Sequence, residues 1–306
     1  MRILVLGSAA GGGVPQWNCN APISRGVREG RLVSSANSQA SIAVTADGDR
    51  WVLVNASPDL RQQILLQPAL WPREGRRRDS PIEAVLLTGA EIDNVAGLLT
   101  MRERQAFAIW STARVLDMLA ENPIFEALDR SLVARRPLRL DEPTAIAGPA
   151  RETGLTATAF AVPGKVPLYL EKRAGGDLTA AAEGSIGIEL SDGRNRLHYI
   201  PGCAKLTDEI RRRIAGSPLL FFDGTLWSDD EMIVAGVGEK TGQRMGHMSM
   251  AGPAGSVAQL AGLDIARKFF IHINNTNPAL LPDSAERAAL KEGGWEVAAD
   301  GMEMEL

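Results

Sequence analysis

Two stretches of the sequence repeat one pattern. Residues 51–64 read WVLVNASPDLRQQI, and residues 197–210 read LHYIPGCAKLTDEI. Each stretch begins with an apolar run typical of a buried β-strand, passes through small residues, and ends in a segment that fits a helix. A second apolar strand that ends in a polar or acidic turn follows each of them, at 84–99 and at 218–233. The repetition predicts two similar halves packed sheet to sheet with helices outside, which is a four-layer α/β/β/α sandwich.

Strand and helix signals alternate along the rest of the chain. Strands are predicted at 3–6, 40–44, 51–54, 84–87, 107–110, 155–162, 186–190, 197–200, 219–222, 268–273 and 295–298. Helices are predicted at 58–66, 95–104, 114–120, 207–215, 256–261 and 283–292. We therefore expect an α/β fold with one domain over residues 1–306. Two alternatives stay open, because strand–helix pairs recur in any α/β protein and a chain of 306 residues can also form two smaller domains.

Composition and charge exclude several classes of protein. The chain has 33 basic and 37 acidic residues and a net charge of −4, which gives no electrostatic reason to expect a nucleic-acid partner. No apolar run reaches the length of about 18 residues that a membrane span requires. Its two cysteines cannot build a disulfide framework, and glycines interrupt the apolar N-terminal segment before it resembles a signal peptide. We expect a cytoplasmic protein.

Acidic and imidazole side chains follow several of the predicted strands. Glu91 and Asp93 come just after one strand, Asp223 closes the run LLFFD, and His272 ends the run KFFIH. His247 lies in the loop RMGHMSMAG. Carboxylate oxygens and imidazole nitrogens gathered from several strand ends are the ligands that iron, manganese or zinc requires. These five residues are the candidate metal-binding and catalytic residues.

Each candidate also has a purely structural interpretation. Asp93 and Asp223 could cap the helices that follow them, and Glu91 could simply face solvent. A lone His272 could be a core histidine with satisfied hydrogen bonds. We expect a structural role for His198, which has no neighbouring acid in the sequence. The metal hypothesis therefore depends on several of these residues meeting at equivalent strand ends.

Several longer stretches carry a resemblance to a known family. They are LGSAAGGGVPQWNCN, LVNASPDLRQQI, AVPGKVPLY, IPGCA, FFDGTLWSDDEM, GVGEKTGQRMGHMSM and HINNTNP, and they span positions 6–278. They resemble the metallo-β-lactamase fold and, within it, the pyrroloquinoline quinone biosynthesis protein B (PqqB) family. The resemblance implies an α/β/β/α fold and a role in making the redox cofactor pyrroloquinoline quinone (PQQ) from a precursor peptide that contains Glu and Tyr.

The resemblance also locates the metal motif of the fold. The motif His-x-His-x-Asp-His falls on Gly89, Glu91, Asp93 and Asn94, so its three histidines are absent. The first half of this motif is normally degenerate in the PqqB family, whose members usually keep the final Asp-His pair. This chain keeps only Asp93 of that pair. A dinuclear zinc centre of the hydrolase type is therefore not expected.

Two further positions match family motifs. Asp223 matches the acid of the Asp-Gly-Thr motif, and His272 matches the histidine of the His-Ile-Asn-Asn motif. The resemblance is thus compatible with one mononuclear metal held by Asp93, Asp223 and His272, with Glu91 or His247 nearby. Fe(II) is the expected metal, because open positions for O₂ or substrate suit non-haem iron.

A second metal motif of the family is incomplete in this chain. Many PqqB relatives carry a Cys-x-Cys-x-x-Cys motif that resembles a structural zinc site, and here it reads Cys19, Ala21 and Ser24. One cysteine cannot hold that zinc, so we expect no structural zinc. The loop is expected to be ordered by packing instead, through Trp17.

Two functions are compatible with the resemblance. The first is an iron-dependent oxygenase that hydroxylates the tyrosine ring of a Glu-Tyr-derived precursor, with the loops 11–20 and 274–278 shaping the substrate pocket. The second is a carrier that assists transport of PQQ or its precursor toward the periplasm. Asn94 stands where the motif has an imidazole and favours the carrier. The expected partners are the precursor, other PQQ biosynthesis proteins and a second copy of the chain in a homodimer.

Overall fold

A computed structural model of the chain describes residues 1–164 and 183–306. The strands are β1 (Arg2–Gly7), β2 (Ser41–Thr45), β3 (Trp51–Val54), β4 (Ile82–Leu86), β5 (Phe107–Thr112), β6 (Val133–Leu138), β7 (Thr144–Ala147), β8 (Glu152–Ala161), β9 (Ile186–Ser191), β10 (Arg196–Ile200), β11 (Leu219–Asp223), β12 (Arg267–Ile271), β13 (Glu296–Val297) and β14 (Glu303–Glu305). The α-helices are α1 (Pro22–Arg28), α2 (Leu60–Leu66), α3 (Ile92–Val95), α4 (Ala113–Ala120), α5 (Asp208–Ile214), α6 (Glu231–Val234), α7 (Gly242–Met245), α8 (Ser256–Gln259) and α9 (Ala285–Glu292). None of the helices in these ranges combines the length and apolarity needed to cross a lipid bilayer.

The strands form two seven-stranded sheets. The first has the order β14-β1-β2-β3-β4-β5-β6, and the second has the order β13-β12-β11-β10-β9-β8-β7. The units β3-α2-β4 and β10-α5-β11 occupy equivalent places in the two sheets, and both strand pairs are parallel. These units contain the two repeated stretches. The predicted sandwich of two similar halves is therefore confirmed.

Three apolar layers hold the sheets and helices together. The layer between the sheets contains buried residues of both, such as Val54, Leu86, Phe221 and Ile271. A second layer lies between the first sheet and helices α2 and α4, and a third lies between the second sheet and helices α5 and α9. The central strands are covered on both faces, and this is why they are continuous apolar runs without alternation.

One local difference from the sequence-based prediction has a steric cause. A helix was expected at 95–104, but α3 ends at Val95 and a 3₁₀ helix covers Ala96–Met101. Gly97 approaches the preceding loop so closely that an added Cβ would lie 2.1 Å from the carbonyl oxygen of Ser57. The amide of Gly97 also donates to the carbonyl of Ala56 at 2.9 Å, which diverts the chain from a regular α-helix.

The C-terminal segment fixes the loop that follows β1. The carboxylate of Asp300 accepts hydrogen bonds from the amide and hydroxyl of Ser8, at 3.0 and 2.9 Å, and from those of Ser38, at 2.7 Å each. The same loop is bonded to the residue after His272. The amide of Ile273 donates to Ser8 O at 3.0 Å, and the amide of Ala10 donates to Ile273 O at 2.8 Å. These bonds tie the glycine-rich N-terminal loop to the end of β12.

Candidate functional site

The candidate ligands leave both sheets at the carboxyl ends of their parallel strands. Asp93 lies in α3, which follows β4 of the first sheet. Asp223 is the last residue of β11, and His272 directly follows β12. Because β11 and β12 are paired parallel neighbours, these two side chains emerge at one edge.

His272 contacts Asp93 across the two halves. Its Nε2 lies 2.8 Å from Asp93 Oδ2, although the residues are 179 positions apart. The backbone of His272 has a φ of +61°, in the left-handed region that few non-glycine residues adopt. The predicted strand 268–273 therefore ends at Ile271, and the left-handed turn directs the imidazole toward the first sheet.

Asp223 is fully buried, and its carboxylate oxygens both accept hydrogen bonds. Oδ1 accepts from the amide and the hydroxyl of Thr225, at 3.0 and 2.6 Å. Oδ2 accepts from the amide of Cys203 at 2.8 Å and contacts His247 Nδ1 at 2.8 Å. Asp223 does not cap the next helix, since Asp230 occupies the N-cap of α6. The capping interpretation of Asp223 is wrong.

Asp223, His247 and His272 form a group with metal-binding composition. One ligand atom from each lies within 4.8 Å of the others, and in the described ranges this is the only group of three or more such side chains. The rings of His247 and His272 stack with their centroids 5.2 Å apart and their planes 20° apart. Two imidazoles and a carboxylate converge, so the donor chemistry fits a divalent transition metal.

A cavity of about 170 Å³ opens beside this group. Glu91, Asp93 and Asn94 line one side, and His247 and His272 line another. All the candidate residues except Asp223 thus line one space, and Asp223 contacts one of the lining residues, His247. The loops 11–20 and 274–278 contribute none of the described lining residues of this cavity, so their part in shaping the substrate pocket stays a prediction.

Opposite charges set the protonation of the group. Burial opposes ionisation of both Asp93 and Asp223, but the neighbouring histidines outweigh it. The hydrogen bond with His272 and the charge of that ring lower the pKa of Asp93. The charge of His247 and its hydrogen bond lower the pKa of Asp223. Burial acts to lower the pKa of His272, but the hydrogen bond and charge of Asp93 outweigh it and the pKa is raised. Two carboxylates beside a protonated imidazole form a site that a cation can enter by displacing a proton.

Comparisons with known proteins agree over the full length of the chain. A family model described as a beta-lactamase superfamily domain matches residues 50–273. "Coenzyme PQQ synthesis protein B" of Xanthomonas oryzae pv. oryzae is 56% identical over 306 residues, which is 100% of both chains. The protein of the same name from Gluconacetobacter diazotrophicus is 56% identical over 303 residues, which is 98% of both. This chain belongs to the PqqB family.

Solved structures support the same assignment. The crystal structure of Zn²⁺-bound PqqB from Methylobacterium extorquens matches with a TM-score of 0.94 and 49% identity, and 100% of each chain is covered. A diphosphatase of the PhnP family matches with a TM-score of 0.68 at 18% identity, over 100% of this chain and 98% of the other, and shows the shared fold alone. Membership in the PqqB family supports a role in PQQ synthesis, and the predicted metallo-β-lactamase fold is confirmed.

Two observations suggest that this chain binds a metal. One relative has been crystallised with Zn²⁺ bound, and this chain has its own group of carboxylate and imidazole donors. The sequence predicted Asp93, Asp223, His272 and Glu91 as ligands, with His247 nearby. The structure brings His247 into the group with Asp223 and His272, whereas Asp93 lies against His272 Nε2 and Glu91 lines the cavity. The assignment of the ligands stays a proposal, and the structure adds His247 to the candidate ligands.

The loop that carries the family's cysteine motif is ordered by hydrogen bonds. Asn275 Nδ2 donates to Gln16 Oε1 at 2.9 Å and to Ser24 Oγ at 3.3 Å, and Arg28 donates to the carbonyls of Gln16 and Cys19, at 2.7 and 2.9 Å. The donors of this loop do not fit a zinc site, because Cys19 has no second thiolate at positions 21 and 24. The absence of structural zinc stays a prediction.

One further expectation is wrong, and one stretch that carried the resemblance is described only in part. Trp17 was expected to order the loop by packing, but its side chain is 85% exposed, so that expectation is wrong. Part of the stretch AVPGKVPLY, from position 165 onward, lies outside the described residues.

One residue at the site, and one contact away from the site, escaped the sequence analysis. Thr225 contacts both histidines and Asp223, and only its place in the Asp-Gly-Thr motif could have suggested this. For His198 the sequence showed no acid nearby, yet Glu189 is its partner across β9 and β10, with Oε2 at 3.0 Å from Nε2. His198 Nδ1 lies 2.8 Å from Ser217 Oγ, and the fully buried ring stays inside the sheet.

The shifted pKa values of His272 and Asp93 predict that the stability of the metal-free chain depends on pH. A histidine with a raised folded pKa contributes stability that is complete below its unfolded pKa of about 6.5 and is lost as pH rises through the folded pKa. The lowered pKa of Asp93 acts in the opposite sense, since its contribution is complete above about pH 4 and is lost as pH falls through the folded pKa. Unfolding temperatures in chelator should therefore fall as the pH rises above about 6.5, and His272→Asn should flatten that fall. Parallel curves for the two proteins would contradict this linkage.

Proposed function

We propose that this chain is an iron-dependent oxygenase of PQQ synthesis that hydroxylates the tyrosine ring of a Glu-Tyr-derived precursor. The observation that carries the proposal is the convergence of Asp223, His247 and His272 within 4.8 Å beside an open cavity. Two histidines and one carboxylate with open positions are the ligand set of many non-haem Fe(II) oxygenases. Membership in the PqqB family supports the choice of PQQ synthesis as the pathway.

Asp223, His247 and His272 are the residues that would hold the iron. When bound there, iron supplies the activation of O₂ that an aromatic ring requires. The balanced reaction inserts one oxygen atom into a ring C–H bond and reduces the other to water, with two protons and two electrons from a soluble reductant. Aromatic hydroxylation is therefore a reaction that this donor set suits better than hydrolysis, which would need the missing histidines of the two-metal motif.

The protein's own side chains would position the substrate. Glu91 and Asn94 line the cavity opposite His247, at the places where the metal motif of the fold has histidines. Asp93 lines the same space, and its lowered pKa keeps the carboxylate ionised, so that it can accept a hydrogen bond from the substrate's phenol. Burial of Asp223 keeps water from its carboxylate and preserves the strength of its contacts.

A carrier of PQQ is the second candidate, and Asn94 in place of an imidazole favours it. The charge of the cavity opposes it. A polyacidic quinone needs cationic partners, whereas the described lining residues include Glu91 and Asp93 and neither lysine nor arginine. The oxygenase therefore agrees better with the charges of the described cavity.

Anaerobic titration of the purified chain with Fe(II), followed by exposure to O₂ with reductant and a Glu-Tyr-derived precursor, tests the proposal. We expect one iron per chain, oxygen uptake that depends on the precursor, and a product heavier by one oxygen atom. Glu103→Gln, a surface substitution, is the matched control for Glu91→Gln, which should weaken substrate use without weakening iron binding. Absence of stoichiometric iron together with tight binding of PQQ would replace the oxygenase by the carrier.

A further inference from the structure

Thr225 lies at the centre of the ligand group. Its Oγ1 is 2.6 Å from Asp223 Oδ1, 2.8 Å from His272 Nδ1 and 3.0 Å from His247 Nδ1. A hydroxyl has one proton to donate and two lone pairs that accept. These three contacts therefore use the full hydrogen-bonding capacity of the side chain.

Local packing explains why position 225 reaches the ligands. Gly224, which precedes it, lies so close to β12 that an added Cβ would be 2.8 Å from Phe270 Cβ. The amide of Gly224 donates to Ile271 O at 2.8 Å, and the amide of Asn274 donates to Thr225 O at 3.0 Å. The chain after β11 is thus hydrogen-bonded to the residues on both sides of His272, and the threonine hydroxyl lies next to Nδ1 of the imidazole.

The direction of each hydrogen bond follows from the chemistry of the partners. The carboxylate of Asp223 can only accept, so Thr225 donates its one proton to Oδ1. Oγ1 must then accept from His272, and Nδ1 of His272 carries a hydrogen. The other ring nitrogen, Nε2, lies 2.8 Å from Asp93 Oδ2, and because a carboxylate can only accept, Nε2 donates to it in the metal-free chain. A cation that displaces this proton binds the lone pair of Nε2.

We propose that Thr225 is the positioning residue of the metal centre, whose hydroxyl fixes the tautomer and orientation of His272 so that Nε2 is presented to a divalent cation. The same hydroxyl holds Asp223 in place, which couples the two ligands. The inference rests on the proposed function, since it concerns the same cation. Outer partners of this kind commonly change metal affinity by about 10–100-fold when they are removed.

Substitutions at position 225 test the proposal with Mn²⁺ as the probe. Thr225→Val keeps the shape and removes the hydroxyl, so we expect Mn²⁺ affinity, measured by electron paramagnetic resonance, to fall about 10–100-fold. Thr225→Ser keeps the hydroxyl and should restore most of the affinity. Thr45→Val is the matched control, because Thr45 is also fully buried and donates to an aspartate, Asp47 Oδ1 at 3.1 Å.

A spectroscopic signature separates positioning from general destabilisation. In protein with ¹⁵N-labelled histidine, the His272 Nδ1–H signal should be protected from exchange in the wild type and in Thr225→Ser, and lost in Thr225→Val. If the valine variant does not fold, Thr225→Ala compared with Thr225→Ser gives the same contrast.

The outcomes distinguish this inference from the proposed function. Wild-type affinity in Thr225→Val, or equal losses in the valine and serine variants, would overturn the role of the hydroxyl while the metal centre stands. A wild-type chain that binds no stoichiometric Mn²⁺ or Fe(II) would overturn the proposed function, whereas the exchange protection of His272 in metal-free protein would still support or refute the contact with Thr225.

Discussion

Replacing His272 by asparagine should abolish metal binding while leaving the chain folded. We expect the affinity for Mn²⁺ or Fe(II) to fall by more than about 100-fold, because loss of a direct ligand exceeds the 10–100-fold effect typical of outer partners. Precursor hydroxylation should fall to background in the same variant. Calorimetric titration with Mn²⁺ measures the binding, and circular dichroism measures the fold.

Asparagine is the informative substitution because of the backbone. His272 has a φ of +61°, and asparagine adopts this region more readily than other non-glycine residues. Alanine adopts this region less readily than asparagine, so it adds a backbone cost to the loss of the ligand. Comparison of His272→Asn with His272→Ala thus separates the two effects. Equal losses of folding and of binding in the asparagine variant would restore the interpretation of His272 as a core histidine.

Asp223→Ala should be the most destabilising single substitution at this site. It leaves the buried amides of Cys203 and Thr225 without their acceptor and removes the carboxylate that contacts His247 Nδ1. Each buried donor left without an acceptor costs about 1–3 kcal/mol, so the sum is about 3–5 kcal/mol. At about 2–4 °C per kcal/mol for chains somewhat smaller than this one, the unfolding temperature of metal-free protein should fall by roughly 10 °C.

Asp230→Ala is the matched control for Asp223→Ala. Asp230 follows the same strand and accepts a hydrogen bond from Ser228 Oγ at 3.1 Å, but it is exposed. Its removal should change the free energy of unfolding by less than about 0.5 kcal/mol. Denaturant titration of both variants in chelator measures the difference. Similar small effects for the two would show that the bonds of Asp223 add little to stability.

The central strands were predictable because both faces of each sheet are covered. Runs such as WVLV and LLFFD are apolar without interruption, and their repetition indicated two similar halves. The edge strands β6, β7 and β14 gave no such signal, whereas the edge strand β13 lies within the predicted strand 295–298. β6 contains two arginines and a proline, which only an edge tolerates, and β14 spans three residues that pair with β1 from the opposite end of the chain. A pairing between distant segments leaves no local pattern.

The site was predictable in its residues but not in its contacts. Positions at strand ends indicated that Asp93, Asp223 and His272 converge, and the family motifs agreed. Nothing in the sequence showed that a loop would bring His247 to Asp223, because the path of that loop depends on tertiary packing. Thr225 was missed for a similar reason, since no sequence spacing marks a hydroxyl that hydrogen-bonds to a metal ligand.

The left-handed backbone at His272 also bears on how this chemistry can be lost in nature. Asparagine and aspartate, which tolerate this backbone, are each one nucleotide away from a histidine codon. Other single-base neighbours, such as leucine or proline, strain the turn. A lineage that no longer needs the proposed metal centre can thus lose it through a point mutation that spares the fold, and a folded descendant without the centre can persist in the genome.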